Sequence, residues 1–118
     1  MSDLVARTEH YYRTVDAGDV QGVLDWFADD ATYWRPGYEP MVGRAALEAF
    51  YGGARVIEQG AHVLDAVVAQ APHVAVRGRF EGRLKDGTEV VVGFADFITY
   101  DAHGRAAERR TYFDAPAV

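Results

Sequence analysis

The patterns typical of helices fall in the first half of this chain, and the patterns typical of strands fall in the second half. This segregation predicts an α+β domain, because the alternation of strands and helices that a βαβ fold requires is missing. A length of 118 residues suits one domain, which we expect to span residues 1–118. A hydrophobic fraction of 49% is enough to build a core.

Three helices are expected before the strand-rich half. The first runs from about Asp3 to Ala17, with Ser2 or Asp3 as its N-cap. A second helix follows Asp19, which can cap it, and a third begins after Gly43. A short strand from Ala31 to Arg35 is expected between the last two helices, and it stops before Pro36.

Four strands are predicted to form a long antiparallel meander over Ala61–Gln70, Val74–Glu81, Glu89–Tyr100 and Arg105–Phe113. Asp86-Gly87 is typical of a hairpin turn, and residues 101–104 form a second turn. Gly78 and Gly93 suit bends in such a sheet. A bent meander wrapped around the helices predicts a cone with an internal pocket.

Asp96 is the most informative residue of the predicted strands. The alternation places it in an apolar row that contains Val92, Phe94, Ile98 and Tyr100. A carboxylate in such a row is costly unless it is paired, protonated or functional. The opposite face of the strand is also apolar, so the alternative is that Asp96 faces outward. We favour a buried or functional role, because perturbed acids mark sites.

A resemblance to a known family rests on segments spread over nearly the whole chain, which are Tyr11-Tyr12, Ala17-Gly18-Asp19, Phe27-Ala28-Asp29-Asp30-Ala31-Thr32, Glu39-Pro40, Gly43-Arg44-Ala45-Ala46, Phe50-Tyr51, Gly93-Phe94-Ala95-Asp96-Phe97 and Gly104. With these segments the sequence resembles the NTF2-like superfamily, in its ketosteroid isomerase and SnoaL-like polyketide cyclase branch. The resemblance implies a curved, mixed but mostly antiparallel sheet around N-terminal helices, and a homodimer formed through the sheet face. It specifies the fold better than the activity.

The resemblance also implies roles for individual residues. Ketosteroid isomerases use a tyrosine and a protonated aspartic acid as an oxyanion hole, and an apolar site keeps that acid neutral. The tyrosine corresponds to Tyr11, the acid to Asp96, and a supporting tyrosine to Tyr51. The aspartate that serves as the base in the family, directly before a proline, is replaced here by Arg35. A guanidinium cannot accept a proton, so ordinary steroid isomerisation is not expected.

The length of the last hairpin predicts a cation beside Asp96. If residues 101–104 form a four-residue loop, Tyr100 faces Arg105 and Asp96 faces Arg109. A neighbouring guanidinium lowers the pKa of a carboxyl group, so Asp96 is expected to be ionised although burial alone would keep it neutral.

Arg35 and Arg109 are then expected to point into one cone that has a single assigned anion. A carboxylate, phenolate or enolate of a bound molecule would supply the missing charge; the alternative is that Arg35 turns to solvent or to Glu39. The pocket walls are expected to include Trp34, Phe94 and Ile98.

Two functional classes therefore remain open. One is an enzyme of isomerase, cyclase or lyase type, with Tyr11 and Asp96 as catalytic residues and Tyr51 in support. The missing base would be Asp96, His62 or Glu108. The other class is a non-catalytic module that binds a small molecule or associates with a partner. The ligand is expected to be a small hydrophobic or anionic organic molecule.

Composition excludes several other classes. A net charge of −6 argues against nucleic-acid binding, and no apolar run is long enough to span a membrane. The histidines lack metal-ligand spacing, and no phosphate loop or dinucleotide fingerprint is present, so neither a metal nor a cofactor is expected. The absence of cysteine fits a reducing cytoplasm.

Overall fold

Two aspartates begin the first two helices. Asp3 accepts a hydrogen bond from the backbone N–H of Ala6 at 3.1 Å, and Asp19 accepts one from Gly22 at 3.0 Å. Each satisfies an N–H group that the first helical turn leaves without a partner. Both caps were predicted; Ser2, the other candidate, lies outside the residues that the structure describes.

The computed structural model describes residues 3–115. In chain order its elements are α1 (Leu4–Asp16), α2 (Val20–Trp26), β1 (Phe27–Trp34), β2 (Met41–Val42), α3 (Arg44–Ala49), a π-helical turn (Phe50–Ala54), β3 (Ile57–Gln70), β4 (His73–Leu84), β5 (Glu89–Tyr100) and β6 (Ala106–Phe113). The expected strand over Ala31–Arg35 is wrong at both ends, because β1 begins directly after α2 at Phe27 and ends at Trp34.

The strands form one mixed, curved and unclosed sheet in the order β2-β1-β6-β5-β4-β3. Consecutive strands from β3 to β6 pair antiparallel, as the meander predicted, whereas β1 joins β6 in parallel. The helices cover its concave face, and the α+β architecture is confirmed.

Gly78 on β4 lies very close to the backbone of β3. A Cβ atom there would collide with the backbone carbonyl oxygen of Val63 on β3. The register between β3 and β4 shifts between Leu64 and Ala66, beside this glycine. Such a bulge bends the strand and allows the sheet to curve around the helices.

The core fills the space between the helices and the concave face of the sheet. Its largest fully buried side chains include Tyr11, Phe27, Tyr33, Leu47 and Ile98. Asp96 is also fully buried, with 0% of its surface exposed, in the row of β5 that the alternation predicted. The other face of β5 is open, since Val91 and Phe97 are exposed.

Candidate functional site

Asp96 is held by three donors inside the cone. Tyr12 from α1 and Thr111 from β6 donate their hydroxyl hydrogens to its two carboxylate oxygens. Arg109 donates from Nη2 to Oδ2 at 2.9 Å, and both charged partners are buried. The carboxylate is thereby paired and hydrogen-bonded, as a charge inside a protein must be.

The ion pair was predicted, but its register was wrong. Asp96 lies opposite Thr111, and Arg109 lies opposite Ile98. The loop is one residue longer than expected, and the register shifts again between Thr99 and Tyr100. A total slip of two residues keeps each side chain on its face, so Arg109 reaches Asp96 from a diagonal position.

The contacts of Asp96 decide its charge. Burial raises the pKa of this carboxyl group. The Arg109 guanidinium and the hydrogen bonds from Arg109, Thr111 and Tyr12 lower it by more than burial raises it. The pKa therefore lies below its usual value. Asp96 is therefore ionised at neutral pH. This state differs from the neutral acid that the family resemblance implies and agrees with the expectation from a neighbouring arginine.

Arg109 lies between Asp96 and the tyrosine assigned to the oxyanion hole. Its Nη1 donates to the hydroxyl oxygens of Tyr11 and Tyr51, the latter at 3.0 Å. Its guanidinium carbon lies 4.6 Å from the ring centre of Tyr11 and 4.5 Å from that of Tyr33. Tyr12, not Tyr11, makes the direct hydrogen bond to Asp96. The chain's own cation thus occupies the position between the Tyr11 hydroxyl and Asp96.

Tyr11 and Tyr51 form a hydroxyl pair beneath Arg109. Their oxygens are 2.7 Å apart. Burial raises the pKa of Tyr11, and burial together with the neighbouring Tyr11 raises that of Tyr51 well above its ordinary value. Both phenols are therefore protonated at neutral pH and act as neutral hydrogen-bonding groups.

Arg35 is buried without a carboxylate partner among the described residues. It is 8% exposed, and its Nη1 donates to the hydroxyl oxygen of Tyr33 at 3.1 Å. Its guanidinium carbon lies within 5.9 Å of the ring centres of Tyr38, Phe50 and Phe113. Its Nε and Nη2 are buried and have no hydrogen-bond partner within residues 3–115. Arg35 turns neither to solvent nor to Glu39, which is exposed.

A line of hydroxyl groups connects the two arginines. The Tyr33 hydroxyl lies 2.9 Å from Thr111 Oγ1, and Thr111 donates to Asp96. Because Tyr33 accepts from Arg35, its own hydrogen is available for Thr111. The donors therefore run in one direction, from Arg35 to the carboxylate of Asp96.

His62 and Asp16 form a second polar pair beside this network. The ring Nδ1 of His62 lies 2.6 Å from Asp16 Oδ1, and the backbone N–H of His62 donates to Asp16 Oδ2 at 2.9 Å. The imidazole packs against three aromatic rings. Its ring centre lies 5.0 Å from that of Phe80, 5.1 Å from that of Tyr12 and 5.5 Å from that of Phe94. Burial lowers the pKa of His62 more than Asp16 raises it, so the ring is neutral at neutral pH.

The remaining predicted positions divide between the two faces of the sheet. Phe94 and Ile98 are buried in the core, as expected for inner wall residues. Trp34 was expected in the pocket but lies on the outer face, because Tyr33 takes the inward position of β1. There the guanidinium carbon of Arg110 lies 4.4 Å from the centre of the Trp34 ring. Glu108 is exposed and therefore no candidate base of the interior.

Sequence reasoning missed Tyr12, Tyr33 and Thr111 as members of the network. Tyr33 and Thr111 lie on predicted strands, over Ala31–Arg35 and Arg105–Phe113, and received no role in the site. The alternation of β6 was the available signal, since Thr111 is two residues from Arg109 and therefore shares its face.

A cleft opens between the α1–α2 junction and the π-helical turn. Its volume is about 480 Å³, and its lining includes Val15, Val20, Tyr51, Arg55 and Lys85. No group of three or more His, Asp or Glu in residues 3–115 is placed to hold a metal ion. Among the same residues, no helix has both the length and the hydropathy needed to cross a bilayer.

The family model for the SnoaL-like domain matches residues 8–109. The chain belongs to the SnoaL-like family. Epoxide hydrolase LasB from Streptomyces lasalocidi is 58% identical over 40 residues, which are 33% of this chain and 14% of LasB. This chain thus matches only a small part of that curated relative.

Two solved structures support the NTF2-like fold of this SnoaL-like chain. An NTF2-like protein of unknown function from Burkholderia pseudomallei has a TM-score of 0.86 and 20% identity, over 97% of this chain and 92% of that one. The epoxide hydrolase/cyclase-like enzyme SalBIII, studied for pyran ring formation in the polyether salinomycin, has a TM-score of 0.81 and 24% identity, over 96% and 94% of the two chains.

Proposed function

We propose that this SnoaL-like chain binds a small, largely apolar organic anion in the cone and catalyses proton transfer on it, of isomerase, cyclase or lyase type. The family match and the names of LasB and SalBIII support chemistry on polyketide-like compounds, including the opening of an epoxide. The substrate class follows from the charges inside the cone.

The unpaired edge of Arg35 carries this proposal. The Nε and Nη2 groups lie on the same edge of the guanidinium plane, and neither has a partner in the part of the chain that the structure describes. Two parallel N–H groups fit the two oxygens of a carboxylate, or the two oxygens of a 1,3-dicarbonyl enolate. Because a buried and incompletely satisfied cation is costly, a bound anion would offset that cost.

The His62–Asp16 pair supplies the base in this proposal. His62 Nδ1 keeps its hydrogen and donates it in a hydrogen bond to Asp16, which leaves the lone pair on Nε2 of the neutral ring. Nε2 removes a proton from a carbon next to the substrate carbonyl, and the C–H electron pair becomes an enolate whose oxygen is stabilised by Arg35. Return of that proton from Nε2 to another carbon completes an isomerisation.

Ligand binding tests the role of Arg35. A carboxylate probe, 2-naphthoate, is expected to raise the melting temperature of the wild-type protein more than 2-naphthamide does. In Arg35→Gln this preference should decrease, while the exposed Arg77→Gln control keeps it. Equal stabilisation by both probes, in wild type and in Arg35→Gln, contradicts the anion proposal.

Proton exchange tests the role of His62. We expect the wild-type protein to accelerate deuterium incorporation from D₂O into one or more members of a panel of enones and polyketide-like 1,3-diketones, measured by mass spectrometry. His62→Gln should lose this acceleration, by about 100-fold or more for a general base, and His73→Gln should retain it. Binding of the panel without any exchange favours the non-catalytic alternative.

A homodimer through the sheet face is proposed as well. Phe97 and Tyr112 form an exposed aromatic pair on the outer face, with ring centres 5.8 Å apart and about half of each side chain in solvent. Covering such a patch is favourable. Sedimentation of the wild type as a dimer and of Phe97→Glu as a monomer would support this association; a monomeric wild type contradicts it.

A cytoplasmic location remains a proposal that rests on the absence of cysteine. Fractionation of the source cells, followed by detection of the chain with an antibody, tests it.

A further inference from the structure

Tyr51 connects the buried network with the cleft at the α1–α2 junction. It is half-buried and lines the cleft, and its hydroxyl takes part in the hydrogen bonds beneath Arg109. The supporting position that the family resemblance gives to Tyr51 does not explain why it borders a cavity of about 480 Å³.

The number of hydroxyl hydrogens in the pair leaves one without an acceptor. Arg109 can only donate, so both phenol oxygens accept from its Nη1. Tyr11 and Tyr51 bring one hydrogen each, and both keep it because their pKa values are raised. One hydrogen forms the bond between the two oxygens. Neither hydroxyl has another partner within residues 3–115, so the second hydrogen has no acceptor there.

The surroundings decide which tyrosine holds the remaining hydrogen. Tyr11 is 2% exposed, and its ring is enclosed by Tyr12, Trp26 and Phe27 at centre distances of 4.3 Å to 6.3 Å. Tyr51 borders open space. The remaining hydrogen is therefore assigned to Tyr51, which accepts from Tyr11.

We infer that the cleft is a ligand site in which Tyr51 donates a hydrogen bond to an anionic oxygen of a small apolar molecule. Val15, Val20 and Val23 supply an apolar wall for the body of that molecule. Arg55 supplies the charge: it lines the cleft, lies 5.9 Å from the ring centre of Tyr51, and pairs with no carboxylate in the described part of the chain.

The two acids that line the cleft are already engaged, Asp19 with the start of α2 and Glu58 with Arg83 at 2.9 Å.

This inference reverses the direction of donation in the tyrosine pair that the family resemblance implies. There the residue at position 11 faces the ligand and the residue at position 51 supports it. Here Arg109 donates to the Tyr11 hydroxyl oxygen. The Tyr11 hydroxyl in turn donates its own hydrogen to Tyr51. The site does not depend on Arg35 or on catalysis by His62, and it stands if either of those proposals fails.

Calorimetric titration with 2-naphthoate tests the inference. Tyr51→Phe is expected to weaken binding by about 10-fold or more, as for a lost hydrogen bond to a charged group. Tyr11→Phe should weaken it less, and the exposed Tyr112→Phe should leave it unchanged. A larger loss in Tyr11→Phe than in Tyr51→Phe, or an unchanged affinity in Tyr51→Phe, overturns the inference.

A second set of variants separates the cleft from the Arg35 site. Arg55→Gln should reduce the preference for 2-naphthoate over 2-naphthamide, and Arg77→Gln should retain it. In protein with ¹³C-labelled tyrosine ring carbons, 2-naphthoate should shift the Cζ resonance of Tyr51 in the wild type and in Arg35→Gln alike. A titration that shifts this resonance only when Arg35 is present places the ligand at Arg35 and overturns the cleft site.

Discussion

Arg109 and Arg35 are two buried guanidinium groups with very different surroundings. Their exposed fractions are 3% and 8%. Arg109 donates to Asp96 at 2.9 Å, to Tyr51 at 3.0 Å and to Tyr11, whereas Arg35 donates, among the described residues, only to Tyr33 at 3.1 Å. Similar burial with unequal compensation indicates that Arg109 stabilises the cone, whereas Arg35 keeps donors that the proposed anion would use.

The hydroxyl line between the two arginines makes the contrast sharper. Asp96 receives donors from Arg109 directly and from Arg35 through Tyr33 and Thr111. One carboxylate cannot neutralise two guanidinium groups. The net charge of this interior is therefore positive, and the excess lies at the Arg35 end. Within residues 3–115 both Nε and Nη2 of Arg35 have no partner, whereas only Nε of Arg109 has none.

The largest effect is expected for Arg109→Met. It leaves the fully buried Asp96 without its cation, and breaking a buried pair on one side costs about 3–5 kcal/mol. Urea unfolding measures the loss. In the double variant Arg109→Met/Asp96→Asn the carboxylate charge is gone too, so part of the stability should return. A single variant as stable as the wild type would mean that the pair contributes nothing.

Arg35→Met is expected to change stability in the opposite direction. It replaces an incompletely paired cation by an apolar side chain among the rings of Tyr38, Phe50 and Phe113. Replacing buried ionic groups by apolar ones is often stabilising by about 1–4 kcal/mol. Unfolding in urea without added anion should show the gain, and stabilisation by 2-naphthoate at this site should be lost. Destabilisation comparable to Arg109→Met would remove the distinction between the two arginines.

Thr111→Val tests the connection between the two ends of the network. Valine keeps the volume but removes the donor to Asp96 and leaves the Tyr33 hydroxyl without its partner. The expected cost is about 1–3 kcal/mol in the free energy of unfolding. Thr99→Val, at a threonine outside the network, serves as the control. If both variants lose the same stability, the hydroxyl line has no special role.

The pH dependence of stability should be the smallest effect near neutrality. The pKa of Asp96 is lowered in the folded protein, so above an unfolded pKa of about 4 its stabilisation is complete. As pH falls below that value, the unfolded chain takes up the proton first, and the stabilisation is lost towards the folded pKa. Unfolding curves from pH 6 to pH 2 measure this slope. Asp96→Asn should have a shallower slope below pH 4; an identical slope would show that other groups cause it.

The turns and strand patterns of the sequence predicted much of this site. The alternation along Glu89–Tyr100 put Asp96 in one row with Val92, Phe94 and Ile98, because successive side chains of a strand point to opposite faces. Both rows are apolar, so the burial of this row was a hypothesis that the structure confirms. The same reasoning put Arg109 on the concave side. The exact pairing could not be predicted, since an extra loop residue and a register shift between Thr99 and Tyr100 depend on how the two strands twist together.

By itself the sequence determined the α+β class, the caps of the first two helices, the hairpin at Asp86-Gly87 and the row of strand side chains to which Asp96 belongs. Each of these depends on neighbours within a few residues. Only the tertiary structure decided that Arg35 is enclosed, that Arg109 separates Asp96 from Tyr11, and that Tyr51 borders a cleft. Those outcomes depend on side chains from α1, the π-helical turn and β6, which are distant in the chain and meet only when the sheet curves around the helices.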